Sequence, residues 1–141
     1  MELQEVKKLD VYLNKLFGST SIRVVPKKGD TAEVFIGEDD LGELTLDDED
    51  GDRSFNFRMV IQVSNDPSLQ PVPTLSAYLR RKFDNQDIRV VVRQKKTDSL
   101  EAYIREDFLG VLFVENEKGR KSYILELPIL DFDLDEAASN A

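Results

Sequence analysis

The chain contains an internal duplication, which constrains its fold more than any other feature of the sequence. Residues 6–25 align without a gap on residues 72–91, and nine of these 20 positions are identical. The alignment resumes with residues 30–61 on 98–129, where 12 of 32 positions are identical. Similarity at a fixed period indicates that each copy is one structural unit.

The alignment also sets the domain boundaries. We predict a first repeat at 1–65 and a second repeat at 74–135. Residues 66–73 are predicted to be a linker, because turn-forming Asp, Ser and Pro residues are concentrated there. The last residues, 136–141, are expected to form a disordered tail.

Each repeat has the same order of hydrophobic patterns. An apolar stripe of helical spacing comes first and ends at Gly18 in the first repeat and at Asp84 in the second. Four short segments of β-branched or alternating apolar residues follow, separated by brief turns, which favours an antiparallel meander. A unit of about 60 residues is marginally stable alone, so two fused copies are expected to pack together. We predict an α+β fold of two tandem α-β-β-β-β repeats, each a helix packed on a four-stranded antiparallel meander, related by a pseudo-twofold axis.

The composition excludes most catalytic chemistry. The sequence has no Cys and no His, which removes thiolate nucleophiles, Cys-built metal sites and His general bases. Ser54 and Ser122 recur in both repeats, but the sequence pattern supplies no activating base for them. We predict a protein that is not an enzyme, with no catalytic residue, no cofactor and no metal site.

The acidic segment 47–52 superficially resembles a calcium loop. With Gly51 as the sixth loop position, Leu46 and Phe57 would be the first and twelfth ligands, and neither can coordinate a cation. The equivalent segment 115–120 includes basic residues. Both segments are therefore interpreted as solvated hairpin turns in which Gly supplies a positive φ.

The overall charge argues against generalised binding to polyanions. The formal net charge is −9 and the isoelectric point is near 4.6, which disfavours nucleic acid and anionic membranes. No apolar run approaches the ~18 residues of a membrane span. The first residues lack the basic and apolar regions of a secretory signal, so we expect a cytoplasmic protein without membrane association.

One segment departs from this acidity. Residues 78–97 carry a net charge of +5 and include Tyr78 and Phe83, a mixture that suits a phosphate backbone with stacked bases. The competing interpretation is structural, because basic residues near a helix C-terminus oppose the helix dipole favourably. An acidic partner, or the acidic first repeat of a second molecule, is a third possibility. The candidate residues of this segment are Arg80, Arg81, Lys82 and Arg93.

The repeats differ on one strand face. Phe108, Val111 and Phe113 stand where the first repeat has acidic residues and Thr, and Tyr103 is expected to share their side of the sheet. An apolar sheet face needs a cover. The linker, the segment 131–135 or the first repeat would supply one; otherwise these four residues form a partner-binding surface.

Several segments resemble a known family. Tyr78–Val92, Glu101–Phe113 and Leu127–Leu134 in the second repeat, and residues 32–37 and 50–59 in the first, are similar to a short alphaproteobacterial domain family of unknown function. Its members are about one repeat long. The resemblance covers nearly the whole chain and implies no activity, cofactor or catalytic residue.

The sequence therefore predicts a non-enzymatic cytoplasmic adaptor or regulatory module that binds an unidentified protein and is built as a fused pseudo-dimer. Two alternatives remain: nucleic-acid binding through 78–97, and secretion-chaperone-like binding of client segments at an exposed sheet edge. The chain itself is expected to be a monomeric pseudo-dimer or a weak homodimer. The predicted partner-binding residues are Tyr103, Phe108, Val111, Phe113, Arg80, Arg81, Lys82 and Arg93.

Overall fold

The fold is known from a computed structural model, which has the predicted order α-β-β-β-β twice and adds a third helix after the second repeat. The structure describes residues 1–48, 51, 53–64, 66, 68–96 and 98–139. In chain order the elements are α1 (Leu3–Phe17), β1 (Ile22–Pro26), β2 (Thr31–Ile36), β3 (Asp39–Asp47), β4 (Ser54–Gln62), α2 (Pro71–Phe83), β5 (Ile88–Val92), β6 (Ser99–Ile104), β7 (Asp107–Glu117), β8 (Arg120–Leu130) and α3 (Asp131–Ser139). The α+β class and the two α-β-β-β-β repeats are confirmed, while the pseudo-twofold relation stays a prediction.

The strands of each repeat form an antiparallel meander. Consecutive strands pair with one another, and the register of the two repeats matches: Ile22 lies opposite Ile36 in the first repeat, and Ile88 lies opposite Ile104 in the second. Alternate residues of β4 are buried, as the period of two in its sequence predicts, and β8 shows the same alternation except that Ile124, between Tyr123 and Leu125, is buried as well. The short connections leave no room for crossovers, so the meander follows directly from the sequence.

Each helix buries the apolar stripe that the sequence predicts. Leu9 and Leu13 of α1 and Leu75 and Leu79 of α2 are almost fully buried. Both helices end at a residue in the left-handed conformation, Gly18 with φ 64° and Asp84 with φ 50°, which closes the last turn. Helix α2 begins at Pro71, inside the segment that is predicted to be a linker. Pro is well suited to the first position of a helix, because the N–H that it lacks has no hydrogen-bond partner in a first turn.

The chain divides into two compact units that do not coincide with the repeats. The first unit comprises Met1–Arg58 and the described residues from Pro128 onward, and the second comprises Met59–Leu127. Helix α3 therefore belongs to the first unit, although it follows the second repeat in the sequence.

Part of the segment that is expected to be a disordered tail is helical, and residues 140 and 141 of that segment lie outside the described residues. Residues 136–139, which are expected to belong to a disordered tail, form the last part of α3. The Asp133 carboxylate accepts a hydrogen bond from the Leu130 backbone N–H at 3.4 Å, as capping side chains do at a helix start. Leu134 is completely buried. The burial of Leu134 and the hydrogen bond at the helix start stabilise α3, although its sequence has only a weak helical pattern.

Two glycines at matched positions allow strands to approach closely. A Cβ at Gly42 would lie 2.4 Å from the Arg58 carbonyl oxygen, and one at Gly110 would lie 2.2 Å from the Glu126 carbonyl oxygen. Neither glycine has a positive φ, so the requirement is for space and not for an unusual backbone conformation. Any larger residue must push the neighbouring backbone away.

The start of α1 is tied to the start of β4 by an ion pair. Arg53 donates two hydrogen bonds to the Glu5 carboxylate, and the Nη2–Oε1 distance is 2.7 Å. Glu5 also accepts from the Glu2 backbone N–H, which completes a capping box. The hydrogen bond from Arg53 is the main reason why the pKa of Glu5 lies below its ordinary value.

Gly110→Ala is expected to lower the free energy of unfolding by about 2 kcal/mol or more, because the Glu126 backbone has to shift. Gly29→Ala is the control. Gly29 has φ 75° and open space around its Cβ position, so Ala there should cost only about 1 kcal/mol of backbone strain. Urea unfolding measures both losses, and an equal loss at the two positions would contradict the steric argument.

Arg53→Gln should make stability less dependent on pH. Because the pKa of Glu5 is lowered in the folded state, its contribution is complete above the ordinary carboxyl pKa of about 4.3 and is lost as pH falls through the lower, folded-state value. The variant should therefore be less stable than the parent at neutral pH, with a difference that shrinks in acid. Urea unfolding between neutral pH and pH ~3 tests this. Lys7→Gln removes the same charge from an exposed position, and a similar profile for it would refute the assignment.

Candidate functional site

The predicted apolar residues of the second repeat lie together on one sheet face. Tyr103 is directly opposite Phe108, and Phe113 is two residues beyond Val111 on the same strand. This face is the reverse of the one that carries the buried Ile88 side chain. We call the surface formed by Arg89, Tyr103, Phe108, Val111 and Phe113 the aromatic face.

The aromatic face is organised by ring contacts. The Tyr103 and Phe108 rings meet edge to face, with centroids 5.7 Å apart, a favourable arrangement for aromatic pairs. The Arg89 guanidinium carbon lies 4.6 Å from the centroid of the Tyr103 ring, within cation–π range. Phe108 is 48% exposed and Phe113 is 39% exposed. The face therefore combines a held cation with solvent-accessible rings.

A β-bulge puts Phe108 on this face. Tyr103 pairs with Phe108, but the preceding residue, Ala102, pairs with Gly110, so Leu109 is an extra residue in β7. Simple alternation from Phe113 would turn Phe108 toward the core. The bulge reverses this phase, so that Leu109 is buried while Phe108 is exposed.

The first repeat keeps the cation and loses the apolar surface. Arg23 lies over the Phe35 ring at 5.2 Å, in the positions of Arg89 and Tyr103, and the same register shift follows Val34. Asp40, Glu43 and Thr45 replace Phe108, Val111 and Phe113 and are exposed. The scaffold is shared, but only the second repeat presents an apolar patch.

The predicted basic residues do not form one surface. Arg80, Arg81 and Lys82 lie in the last turn of α2, where positive charge stabilises the helix end. Arg93, in contrast, donates to the Ser99 hydroxyl at 2.9 Å, and Ser99 pairs with Phe113. Arg93 therefore borders the aromatic face, whereas the other three belong to the helix. Their binding roles stay predictions.

Side chains of α1 cover the outer edge of β1. The Asn14 amide donates to the Ile22 carbonyl oxygen and accepts from the Ile22 N–H, both at 2.9 Å. The Asp10 carboxylate accepts from the Val24 N–H at 3.4 Å. Pro26, the next residue of the strand with the same orientation, has no N–H. The edge therefore offers few free backbone groups to another strand.

The same cover is built from different residues in the second repeat. Arg80 Nε donates to the Ile88 carbonyl oxygen at 2.6 Å, and the Ser76 hydroxyl accepts from the Val90 N–H at 3.1 Å. These contacts give Arg80 a structural role. They also work against strand addition at β5, which the secretion-chaperone alternative requires.

The acidic and apolar segments were considered above as possible metal sites and membrane spans. Among the described residues, no group of three or more Asp or Glu side chains is arranged to hold a metal ion. Three acidic residues of the 47–52 turn, Glu49, Asp50 and Asp52, lie outside the described residues. Within the described part of the chain, no helix is both long and apolar enough to cross a membrane.

Sequence reasoning missed the edge cover and the bulge. The bulge had a signal in the sequence, because Gly42 and Gly110 are identical and a glycine at the same place in both strands indicates a specific backbone contact. The identity of Arg23 with Arg89 is a similar signal for the contact between the Arg and the aromatic ring. The edge cover left no such signal, since Asn14 and Arg80 differ in type.

Two tandem helix-and-meander repeats on a shared scaffold define an α+β duplicated protein. The model of the family described as Protein of unknown function (DUF3126) matches the chain twice, at residues 5–63 and 72–133. The chain belongs to this family, and the double match confirms the tandem duplication. No curated protein and no solved structure matches it.

Asn14→Ala is expected to destabilise the chain by about 1–3 kcal/mol, because both backbone groups of Ile22 lose their partner in a partly buried place. The opened edge should also increase self-association, measured by sedimentation velocity alongside urea unfolding. Asn56→Ala removes the same amide from the middle of β4 and serves as the control. An Asn14 variant as stable and as monomeric as this control would contradict the edge-cover argument.

Proposed function

We propose that this chain is a non-enzymatic, cytoplasmic protein-binding module, an adaptor or regulator, that binds its partner through the aromatic face. The observation that carries the proposal is the exposure of Phe108 and Phe113 beside the ordered Arg89–Tyr103 pair. Exposed aromatic side chains next to an Arg are the residue types that dominate protein interfaces.

The divergence of the repeats supports the same surface. On a common backbone, the first repeat carries Asp40, Glu43 and Thr45, which solvate its face. Polar residues are therefore compatible with this exposed sheet face. The apolar residues at the same positions of the second repeat need another explanation. Contact with a partner supplies one.

The chemistry of the face indicates what its partner presents. The rings offer an apolar centre, and Arg89 and Arg93 lie at or beside it. A complementary surface would place aliphatic or aromatic side chains on the rings and a carboxylate near the guanidinium groups. The lack of Cys and His favours binding over catalysis.

Phe113→Asp is expected to reduce capture of the partner about tenfold or more, because a charge replaces one of the two exposed Phe rings of the face. Thr45→Asp is the matched control at the equivalent exposed position of the first repeat. Quantitative mass spectrometry of affinity captures from cell extract, with nuclease treatment, compares the two variants and the parent chain.

Circular dichroism and urea unfolding establish that both variants fold, and Phe113→Ser provides a milder change if the Asp variant does not. Proteins lost with the Phe113 variants and kept with Thr45→Asp are the expected result. Identical recovery in all samples, or recovery that nuclease abolishes, would remove the proposal.

A further inference from the structure

A groove runs along the exposed side of α2 in the second compact unit. It has a volume of about 310 Å³, and Val63 and Leu69 face Thr74, Ala77, Tyr78 and Arg81 across it. A second hollow of about 460 Å³ shares Val63, Leu69 and Thr74 and extends to Lys121. We call the two together the α2 groove. Val63 and Leu69 give it an apolar lining, Arg81 lines the first hollow, and Lys121 and Asp66 line the second.

In the first unit, the matching side of α1 is occupied by α3. Lys8 Nζ lies 2.5 Å from Asp135 Oδ1, and Lys15 Nζ donates to the Ala137 carbonyl oxygen at 2.9 Å. Leu134 is completely buried. Helix α3 is thus held by one apolar anchor and by cations that meet its acidic side chains and its C-terminal carbonyl groups.

Two contact positions of α1 keep their character on α2, whereas Lys8, which pairs with Asp135, corresponds to Thr74. Lys15 corresponds to Arg81, and Tyr12 corresponds to Tyr78. Val11, half-buried in the first unit, corresponds to Ala77, which is exposed. The α2 groove therefore keeps a cation and a ring of the α3 site but leaves open the space that α3 fills in the first unit.

We propose that the α2 groove binds a short, acidic, amphipathic helix of a partner protein, in the way that α1 holds α3. The occupant has a Leu-sized anchor that lies against Ala77 and Tyr78. Its acidic first turn points toward Lys121, and its C-terminal carbonyl groups point toward Arg81. This orientation follows α3, whose Ala137 carbonyl oxygen accepts a hydrogen bond from Lys15 Nζ, since Lys15 corresponds to Arg81.

This site is separate from the aromatic face. The groove lies on the helix side of the second unit, and Arg81 stacks over Tyr78 there at 5.8 Å. The mode is recognition of a helix in a groove, with specificity from the spacing of anchor and charges. It gives the basic end of α2 a role in binding an acidic protein segment.

The test uses the full chain and a fluorescent peptide with the sequence of residues 128–139, the segment that includes α3. Fluorescence anisotropy should show saturable binding in the micromolar range. Ala77→Trp fills the groove and should weaken binding at least tenfold, whereas Gln86→Trp, an exposed turn position, should leave it unchanged. Arg81→Glu should weaken it strongly, and Arg81→Lys should retain most of it.

Two further samples test whether the peptide binds through its anchor and in the α2 groove. A peptide with Leu134→Asp lacks the anchor and should not bind. Phe113→Asp in the chain should leave peptide binding intact. The groove proposal can therefore fail or hold independently of the proposal that the aromatic face binds a partner.

Three results would overturn the proposal. The first is no saturable binding of the parent peptide. The second is binding that Ala77→Trp does not affect, which would mean that the peptide displaces α3 from α1. The third is a dimer of the chain alone, by sedimentation equilibrium, that Ala77→Trp converts to a monomer, because the occupant would then be a second copy of this chain.

Discussion

The β-bulge at Leu109, beside the close backbone approach at Gly110, determines which residues of β7 face the core and which face solvent. The Glu126 carbonyl oxygen occupies the space where a Cβ would stand, and the extra residue beside it shifts the alternation of β7 by one. Without the shift, Phe108 would enter the core and Leu109 would leave it. Gly42 makes the same approach in the first repeat. In both repeats the backbone of this strand therefore determines which side chains are buried, and the residues of the exposed face can differ between the repeats.

Both repeats provide hydrogen-bond partners for the backbone groups of their outer strand, but they do so with different side chains. The outer edges of β1 and β5 receive hydrogen bonds from the neighbouring helix at the same strand positions, once from Asn14 and once from Arg80. An amide can serve both the N–H and the carbonyl group, whereas a guanidinium can only donate. In the second repeat, the hydroxyl of Ser76 supplies an acceptor for the edge. Different residues thus meet one constraint, that a free strand edge invites pairing with another chain.

The sequence predicts the repeated elements well because their signals are local. Apolar spacing and turn residues determine the helices and meanders, and the duplication presents each pattern twice. The bulge, the edge cover and α3 depend on contacts between distant residues. Leu134, for example, is buried in a helix that packs against α1, which lies far away in the sequence. The aromatic residues were found from the divergence of the repeats, but their common face requires the bulge at Leu109.

Chain connectivity explains why one helix is left open. After β8, the chain is free to continue as α3 and to cover the apolar side of α1. After β4, the corresponding residues 63–70 must lead directly into Pro71, the first residue of α2. Eight residues that have to join a strand to a helix cannot also form a nine-residue helix along that helix, since each helical residue advances only about 1.5 Å. Fusion of two repeats therefore gives residues 63–70 a connecting role, and among the described residues no helix equivalent to α3 packs on α2.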